Sequence, residues 1–289
     1  MNDLTILCIG GDARFLYMCR YLAQKYRVYA FGTAEASEGV ITADSLSEFD
    51  NKFDVLVLPM MNNTVNENGR IGIHCSGKKL FIDSIIPLLK KDAVVTGGLA
   101  DDITISAFSD KGYDLTDYFK RRELVIKNCI PTAEGALCIA MQERNETVFG
   151  SKVLITGFGN VSKAAAKLFS ACGADVTCAV RRTDAAAEAE CCGYRSADIH
   201  KLKEYIGEYD IVINTVPACI IDAEVLKSTD RSALVIDLAS RPGGVDFDAA
   251  KKAKIRCIHA LALPGKAAPA TAGRYIAETV ENIISERRG

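Results

Sequence analysis

Two doubly wound α/β domains, a flavodoxin-like N-terminal one and a C-terminal Rossmann one, are predicted by three features of this sequence. A short β-branched run from Thr5 to Ile9 stops at Gly10-Gly11-Asp12-Ala13-Arg14 and gives way to a helical pattern. The same succession recurs at Val153 to Thr156, where Gly157-Phe158-Gly159-Asn160 ends the run and a helix opens. Strand, glycine turn and helix in that order mark a βαβ unit. The length, 289 residues, suits two such domains better than one.

In the first domain (1–131) a helix is expected from Ala13 to Tyr26, with Phe15, Leu16, Cys19, Leu22 and Ala23 as its apolar stripe. Further strands fall at Val28 to Phe31, Asp54 to Leu58 and Ala93 to Thr96, for about five in all, and a helix is expected around Ile103 to Lys111. Pro131-Thr132-Ala133-Glu134 opens a connecting helix (132–149), with Thr132 as its N-cap and Pro131 restricting what precedes it. The second domain (150–271) is expected to place strands at Val153 to Thr156, Asp175 to Val180, Ile211 to Thr215, Ala233 to Leu238 and Cys257 to Ala260. The amphipathic stretch Ala272 to Arg287 lies beyond the last strand, so residues 272–289 are assigned to a helix that packs back on the first domain.

Hydrophobic residues make up 49% and charged residues 25%, enough for substantial cores. A net charge of −2 gives no basic excess, so a general nucleic-acid binder is not expected. Apolar runs such as Ala136 to Met141 are short, and Met1-Asn2-Asp3-Leu4 does not read as a signal peptide, so the expectation is a cytoplasmic chain with no membrane role. The 11 cysteines include no CxxC, and Cys8, Cys138 and Cys178 sit in apolar stretches as small core residues. His74, His200 and His259 are scattered without metal-ligand spacing, and no metal is expected.

Gly157-Phe158-Gly159-Asn160-Val161-Ser162 carries two of the three glycines of a dinucleotide fingerprint, with Ser162 at the third position. The string alone is weak, but it follows a buried strand and opens a helix, the context that the motif requires. Gly157 permits the tight turn, and Gly159 lets the backbone of Asn160 and Val161 approach a pyrophosphate at the helix N-terminus. About 20 residues on, NAD sites place an acidic residue for the ribose 2′-hydroxyl. This chain has Arg181-Arg182-Thr183 there, and guanidinium groups suit a 2′-phosphate, so NADP is the expected cofactor, with NAD as an option. Two arginines at a strand end can also be simply solvated. Three loops at strand ends complete the cleft: Asn214-Thr215-Val216-Pro217, Ser240-Arg241-Pro242-Gly243-Gly244 and Leu263-Pro264-Gly265-Lys266. Thr215, Val216 and Pro217 are expected along the nicotinamide half.

The whole chain resembles the dipicolinate synthase A chain family. The likeness is carried by Ile9-Gly10-Gly11-Asp12-Ala13-Arg14, Ile130-Pro131-Thr132-Ala133-Glu134-Gly135, Asn214 to Pro217, Asp237 to Gly244, Leu263-Pro264-Gly265 and Ala268-Pro269-Ala270-Thr271-Ala272-Gly273. That resemblance implies an NADP-dependent oxidation of a cyclic precursor to pyridine-2,6-dicarboxylate. It also implies a second, flavoprotein-like subunit (the dipicolinate synthase B chain) as partner and a role in spore formation, in the mother cell; a homo-oligomer is expected as well. The second half is more distantly similar to 2-hydroxyacid and alanine dehydrogenases. In the former an arginine after the corresponding strand binds the substrate carboxylate, and Arg241 matches it; their catalytic histidine has no counterpart in Leu263-Pro264-Gly265. A dicarboxylate needs donors on both sides of its ring. Arg241 is the first choice, Arg14 and Thr132 the second, and Glu134 either orients Arg241, takes a proton, or is simply a carboxylate near a helix start. Two other readings stand beside this one: a dehydrogenase of a 2-hydroxy or amino acid, and a non-catalytic nucleotide-binding module.

Overall fold

Strands that are apolar on both faces call for a parallel sheet covered by helices on either side. The computed structural model, which describes residues 3–33, 38–50, 52–60, 64–67, 70–75 and 78–288, contains two such sheets. The chain divides into two units, Met1–Lys127 with Pro269–Gly289, and Asn128–Ala268.

The first unit runs β1 (Thr5–Ile9), β2 (Arg27–Phe31), β3 (Val40–Ala43), β4 (Phe53–Met60), β5 (Thr64–Glu67), β6 (Arg70–Cys75), β7 (Lys78–Phe81), β8 (Leu89–Gly98) and β9 (Leu115–Asp117). Six of these form a parallel sheet in the order β3-β2-β1-β4-β8-β9, while β5-β6-β7 form a small antiparallel sheet. The doubly wound class agrees with the sequence reading, but the sheet has six strands rather than about five, and its order is that of the dinucleotide fold rather than of flavodoxin. The additional members are edge strands. Val40-Ile41-Thr42-Ala43 is half-exposed and Leu115-Thr116-Asp117 is three residues long, so neither shows a strong apolar period.

Helix Ala13–Leu22 ends before the expected Tyr26, and Phe15, Met18, Cys19 and Leu22 pack with Ile276, Ala277, Val280, Ile283 and Ile284 of helix Pro269–Arg288. The two helices cross where Gly273 lies against the Arg14 carbonyl, too close for any side chain.

The second unit runs β10 (Lys152–Thr156), β11 (Asp175–Val180), β12 (Arg195–Asp198), β13 (Ile211–Asn214), β14 (Leu234–Asp237) and β15 (Arg256–His259), parallel in the order β12-β11-β10-β13-β14-β15. Sequence reading missed β12, whose Arg195-Ser196-Ala197-Asp198 is an exposed edge with no β-branched residue. The helix expected at 132–149 spans Cys129–Glu143 and belongs to this unit, with Ala133, Ala136 and Ala140 in the same core as Val153, Ile155 and Phe169. Pro131 stands in its first turn, where no N–H is required, and Thr132 is inside the helix rather than its N-cap, donating from Oγ1 to the Asn128 carbonyl (2.7 Å). The stretch Arg122–Glu143 has a window of mean hydropathy 1.3, long and apolar enough to cross a bilayer by length and composition alone; alanines on its second part are core residues here. Leu263-Pro264-Gly265-Lys266 is not a loop but part of a short helix, Leu263–Ala267, whose Leu263 packs on Gly135. Of the three cysteines expected in cores, Cys8 and Cys178 are buried and Cys138 is exposed.

Asp54 pins the start of the first sheet. Its Oδ2 accepts from the Thr5 N–H (3.0 Å) and hydroxyl (2.8 Å), and its Oδ1 faces Lys90 Nζ (2.9 Å) and Arg288 Nη1 (3.3 Å). Burial alone would raise its pKa, but the Thr5 donors and the Lys90 ammonium outweigh that and hold it below the ordinary aspartate value. The group therefore stabilises the fold above the unfolded-state pKa, near 4, and that contribution is lost as pH falls through the lowered folded value. Asp54→Asn is expected to cost about 1–3 kcal/mol near neutral pH. Thermal melts of both proteins should show the gap closing in acid, and a gap independent of pH would refute the assignment.

Candidate functional site

The turn after β10 is built for an anion. Gly157 takes φ +82°, a left-handed conformation that favours glycine, and its N–H donates to the Ala179 carbonyl (2.7 Å) at the end of β11. The chain then enters helix Asn160–Ala171 with Gly159 as N-cap, so the first N–H groups of that helix, including those of Asn160 and Val161, have no partner within it. A Cβ built on Gly159 would meet no heavy atom within 4 Å, so the space before these donors is an open cradle. From it runs a cavity of about 530 Å³ lined by Gly157, Phe158, Gly159, Val180, Arg181, Arg182, Ala185, Ile199, His200, Val216, Ala218 and Ile220. That is the size and mostly apolar lining of a small-molecule site, and the residues present fit a dinucleotide: donors for a pyrophosphate at one place, cations for a further phosphate at another.

The first unit repeats the turn but fills it. Gly10 donates to the Phe31 carbonyl (2.7 Å), as Gly157 does to Ala179. Asp12 then caps the helix with its own carboxylate, accepting from the Arg14 N–H (3.0 Å), Nε (2.9 Å) and Nη2 (2.5 Å). A carboxylate at that N-terminus repels a phosphate, so of these two turns the one in the second unit is the anion cradle.

Beneath the cradle lies a buried polar ladder at the carboxyl ends of β10, β13 and β14. Thr156 Oγ1 donates to Asn214 Oδ1 (2.6 Å), and Asn214 Nδ2 donates to Asp237 Oδ1 (2.7 Å) and to the Val216 carbonyl (3.0 Å). Asp237 also accepts from the N–H groups of Ala239 (3.1 Å) and Gly244 (2.9 Å). All three side chains are fully buried. Gly244 sits so close to the Asn214 amide and the Val216 carbonyl that a side chain there would collide with both. Thr215 donates to the Thr156 carbonyl (2.7 Å) and meets Ser162 Oγ (2.8 Å), which explains why serine serves at the third fingerprint position: it ties the glycine turn to the β13 loop. His259, opposite Asp237 in register, stacks on Phe247 at 5.3 Å and leaves a buried Nε2 without a hydrogen bond among the described residues.

The expected site residues separate into groups. Gly157, Gly159, Arg181, Arg182 and Val216 line one cleft, with Asn160 and Val161 opening the adjoining helix. Thr215 is spent on the framework, and Pro217 is exposed beside the cleft without lining it. Arg182 is engaged by Asp184 (2.7 and 2.8 Å), which raises the guanidinium pKa and lowers that of the carboxyl. Arg181 and Arg241 are exposed and, among the described residues, make no ion pair. Arg14 is 4% exposed and gripped by Asp12, so a substrate carboxylate would have to displace that residue to reach it. Glu134 is exposed on helix Cys129–Glu143 and, among the described residues, is not ion-paired with Arg241.

Sequence reading overlooked Ile199 and His200 in the cleft wall and the ladder role of Asp237. Burial pushes the Cys178 and Cys257 thiols up to about 12, and burial together with Asp246, Asp222 and Asp237 raises Cys219. Among the described residues no three His, Cys, Asp or Glu side chains are placed to hold a metal.

Because Gly159 has ordinary φ and open space before it, a side chain there fits the protein and intrudes only on the ligand. Gly159→Val is expected to leave the melting temperature within a few degrees of wild type and to abolish dinucleotide binding in a calorimetric titration. Retained binding would move the cofactor to another loop.

Residues 5–119 match the family of the N-terminal domain of the dipicolinate synthase A chain, and residues 133–255 match the NAD-binding domain of D-isomer specific 2-hydroxyacid dehydrogenases. Over 99% of its length the chain is 31% identical to the dipicolinate synthase A chain of Bacillus subtilis (strain 168), of which 97% is covered. The crystal structure of the dipicolinate synthase A chain from Bacillus subtilis superposes with a TM-score of 0.86 at 30% identity, covering 100% of this chain and 98% of that one. Its counterpart from Bacillus halodurans gives 0.85 at 31% identity, covering 98% of each chain. The glycine turn, the open cradle and these matches lead to one conclusion: the chain belongs to the dipicolinate synthase A chain family, and its second unit is a dehydrogenase-type domain for a nicotinamide dinucleotide.

Proposed function

We propose that this protein oxidises a dihydrodipicolinate-type cyclic dicarboxylate to pyridine-2,6-dicarboxylate with NADP, in the mother-cell cytoplasm of a spore-forming bacterium, working with a flavoprotein-like second subunit and as a homo-oligomer. The observation that carries the reading is the pair of guanidinium groups on one sheet edge that are unengaged among the described residues. Arg181 follows β11 and Arg241 follows β14, with β10 and β13 between them, so they stand about three strand spacings apart, on the order of 14 Å. The glycine turn lies between the two. An extended dinucleotide with its pyrophosphate at that turn would direct its 2′-phosphate to Arg181 and its nicotinamide toward Arg241.

When bound, the oxidised nicotinamide accepts the hydride. The protein's own part is to hold the ring. Arg241 can grip one carboxylate in two parallel bonds and fix the carbon that loses hydride. Two hydrogens leave the dihydropyridine, one as hydride and one as a proton. Aromatisation drives that loss, so a strong general base is less needed than alignment. This agrees with the absence of a histidine from helix Leu263–Ala267.

The test is an assay of the purified chain, with and without the flavoprotein-like partner, following NADPH formation and pyridine-dicarboxylate absorbance on dihydrodipicolinate. NADP is expected to outperform NAD. Arg181→Ala should cut that preference at a cost of about ten- to a hundred-fold in NADP affinity. Arg241→Lys, which keeps the charge and loses the fork, should lower kcat/KM steeply with NADP affinity nearly unchanged. No product under any condition, or normal turnover in Arg241→Lys, would overturn the reading.

A further inference from the structure

β11 and β12 are parallel neighbours with Val180 opposite Asp198, so the residues after each strand emerge side by side, about 4.8 Å apart. After β11 come Arg181 and Arg182; after β12 come Ile199 and His200, and all four line the cleft. The nearby carboxylates point elsewhere. Asp184 is taken by Arg182, and Asp198 turns Oδ1 back to the His200 N–H (3.0 Å), capping the turn Ile199–Lys201. That leaves the Arg181 fork and the His200 imidazole, neither with a side-chain hydrogen bond or ion pair among the described residues, in the wall of one cavity and following neighbouring strands.

We infer that His200 is a specificity residue for the 2′-phosphate of the dinucleotide, its ring N–H donating to a phosphate oxygen that Arg181 holds from the neighbouring strand. The inference rests on the NADP reading above and extends it. Arg182 is encumbered by Asp184, so Arg181 by itself would be a single clamp; a second donor from β12 surrounds the phosphate from two strands. An imidazole in this position offers a 2′-hydroxyl much less, because a charge-assisted bond is stronger than a neutral one. The residue would therefore act on discrimination between the two cofactors more than on affinity for either.

Affinities of the full chain for NADPH and NADH, and for 2′,5′-ADP and 5′-AMP, test this in wild type, His200→Ala and His200→Gln. His200→Ala is expected to weaken NADPH and 2′,5′-ADP about tenfold while leaving NADH and 5′-AMP within about twofold. His200→Gln, which keeps a donor, should recover part of the loss. Retained NADH binding reports an intact cleft, so a folding defect cannot imitate the result. An unchanged NADPH-to-NADH ratio, or equal losses for both, overturns the role of His200 and makes it a general wall of the cleft. A wild type with no preference for NADPH instead overturns the cofactor reading itself.

Discussion

Asp237 is the constraint on which the carboxyl edge of the second unit's sheet depends. A carboxyl group with no exposure to solvent is costly unless its oxygens are satisfied, and here three N–H donors come from three directions: the Asn214 amide, the Ala239 backbone and the Gly244 backbone. Two of these lie on the loop that follows β14 and carries Arg241, and the third is the pivot of the loop that follows β13. Asn214 passes the linkage on to Thr156 at the end of β10, where the glycine turn begins. One buried acid therefore sets the positions of three loops that come from three adjacent strands.

The same economy explains which turn stays open and which is filled. Both units start with strand, glycine turn and helix, and both turns donate to the end of the second strand of their sheet. The difference is one residue at the helix N-terminus. Asp12 brings an internal carboxylate that Arg14 neutralises, whereas Gly159 brings nothing and leaves the donors open. In the first unit that local ion pair contributes to a helix docked on Pro269–Arg288; in the second the helix N-terminus keeps its donors open.

Much of this was legible in the sequence because periodicity reports burial. Asp175–Val180 is read to the residue, and the other apolar strands of the second sheet to within one residue at each end, since their β-branched runs are buried on both faces. Edge strands β3 and β12 were missed because half their residues face water, and β9 because it is only three residues long. The start of helix Cys129–Glu143 was misplaced because Pro131 looked like a boundary, although a first turn does not use its N–H groups. At the site, Gly157, Gly159 and Arg181 followed from a motif with a mechanical meaning. His200 did not: its place in the cleft depends on β12 pairing with β11, a tertiary fact that an Arg-Ser-Ala-Asp edge does not announce. Nor does a sequence reveal that Asp184 occupies Arg182, or that Asp237 points inward.

The most direct measurement is amide hydrogen exchange on wild type and Asp237→Asn, with dinucleotide affinity determined on the same samples. If Asp237 organises the edge, an amide in its place sets a donor against donors. Exchange at Ala239 and Gly244 should then quicken by about tenfold or more, spread to Val216, and be accompanied by weaker dinucleotide binding, while strands β11 and β12 stay protected. Unchanged exchange at Gly244 together with unchanged affinity would contradict it.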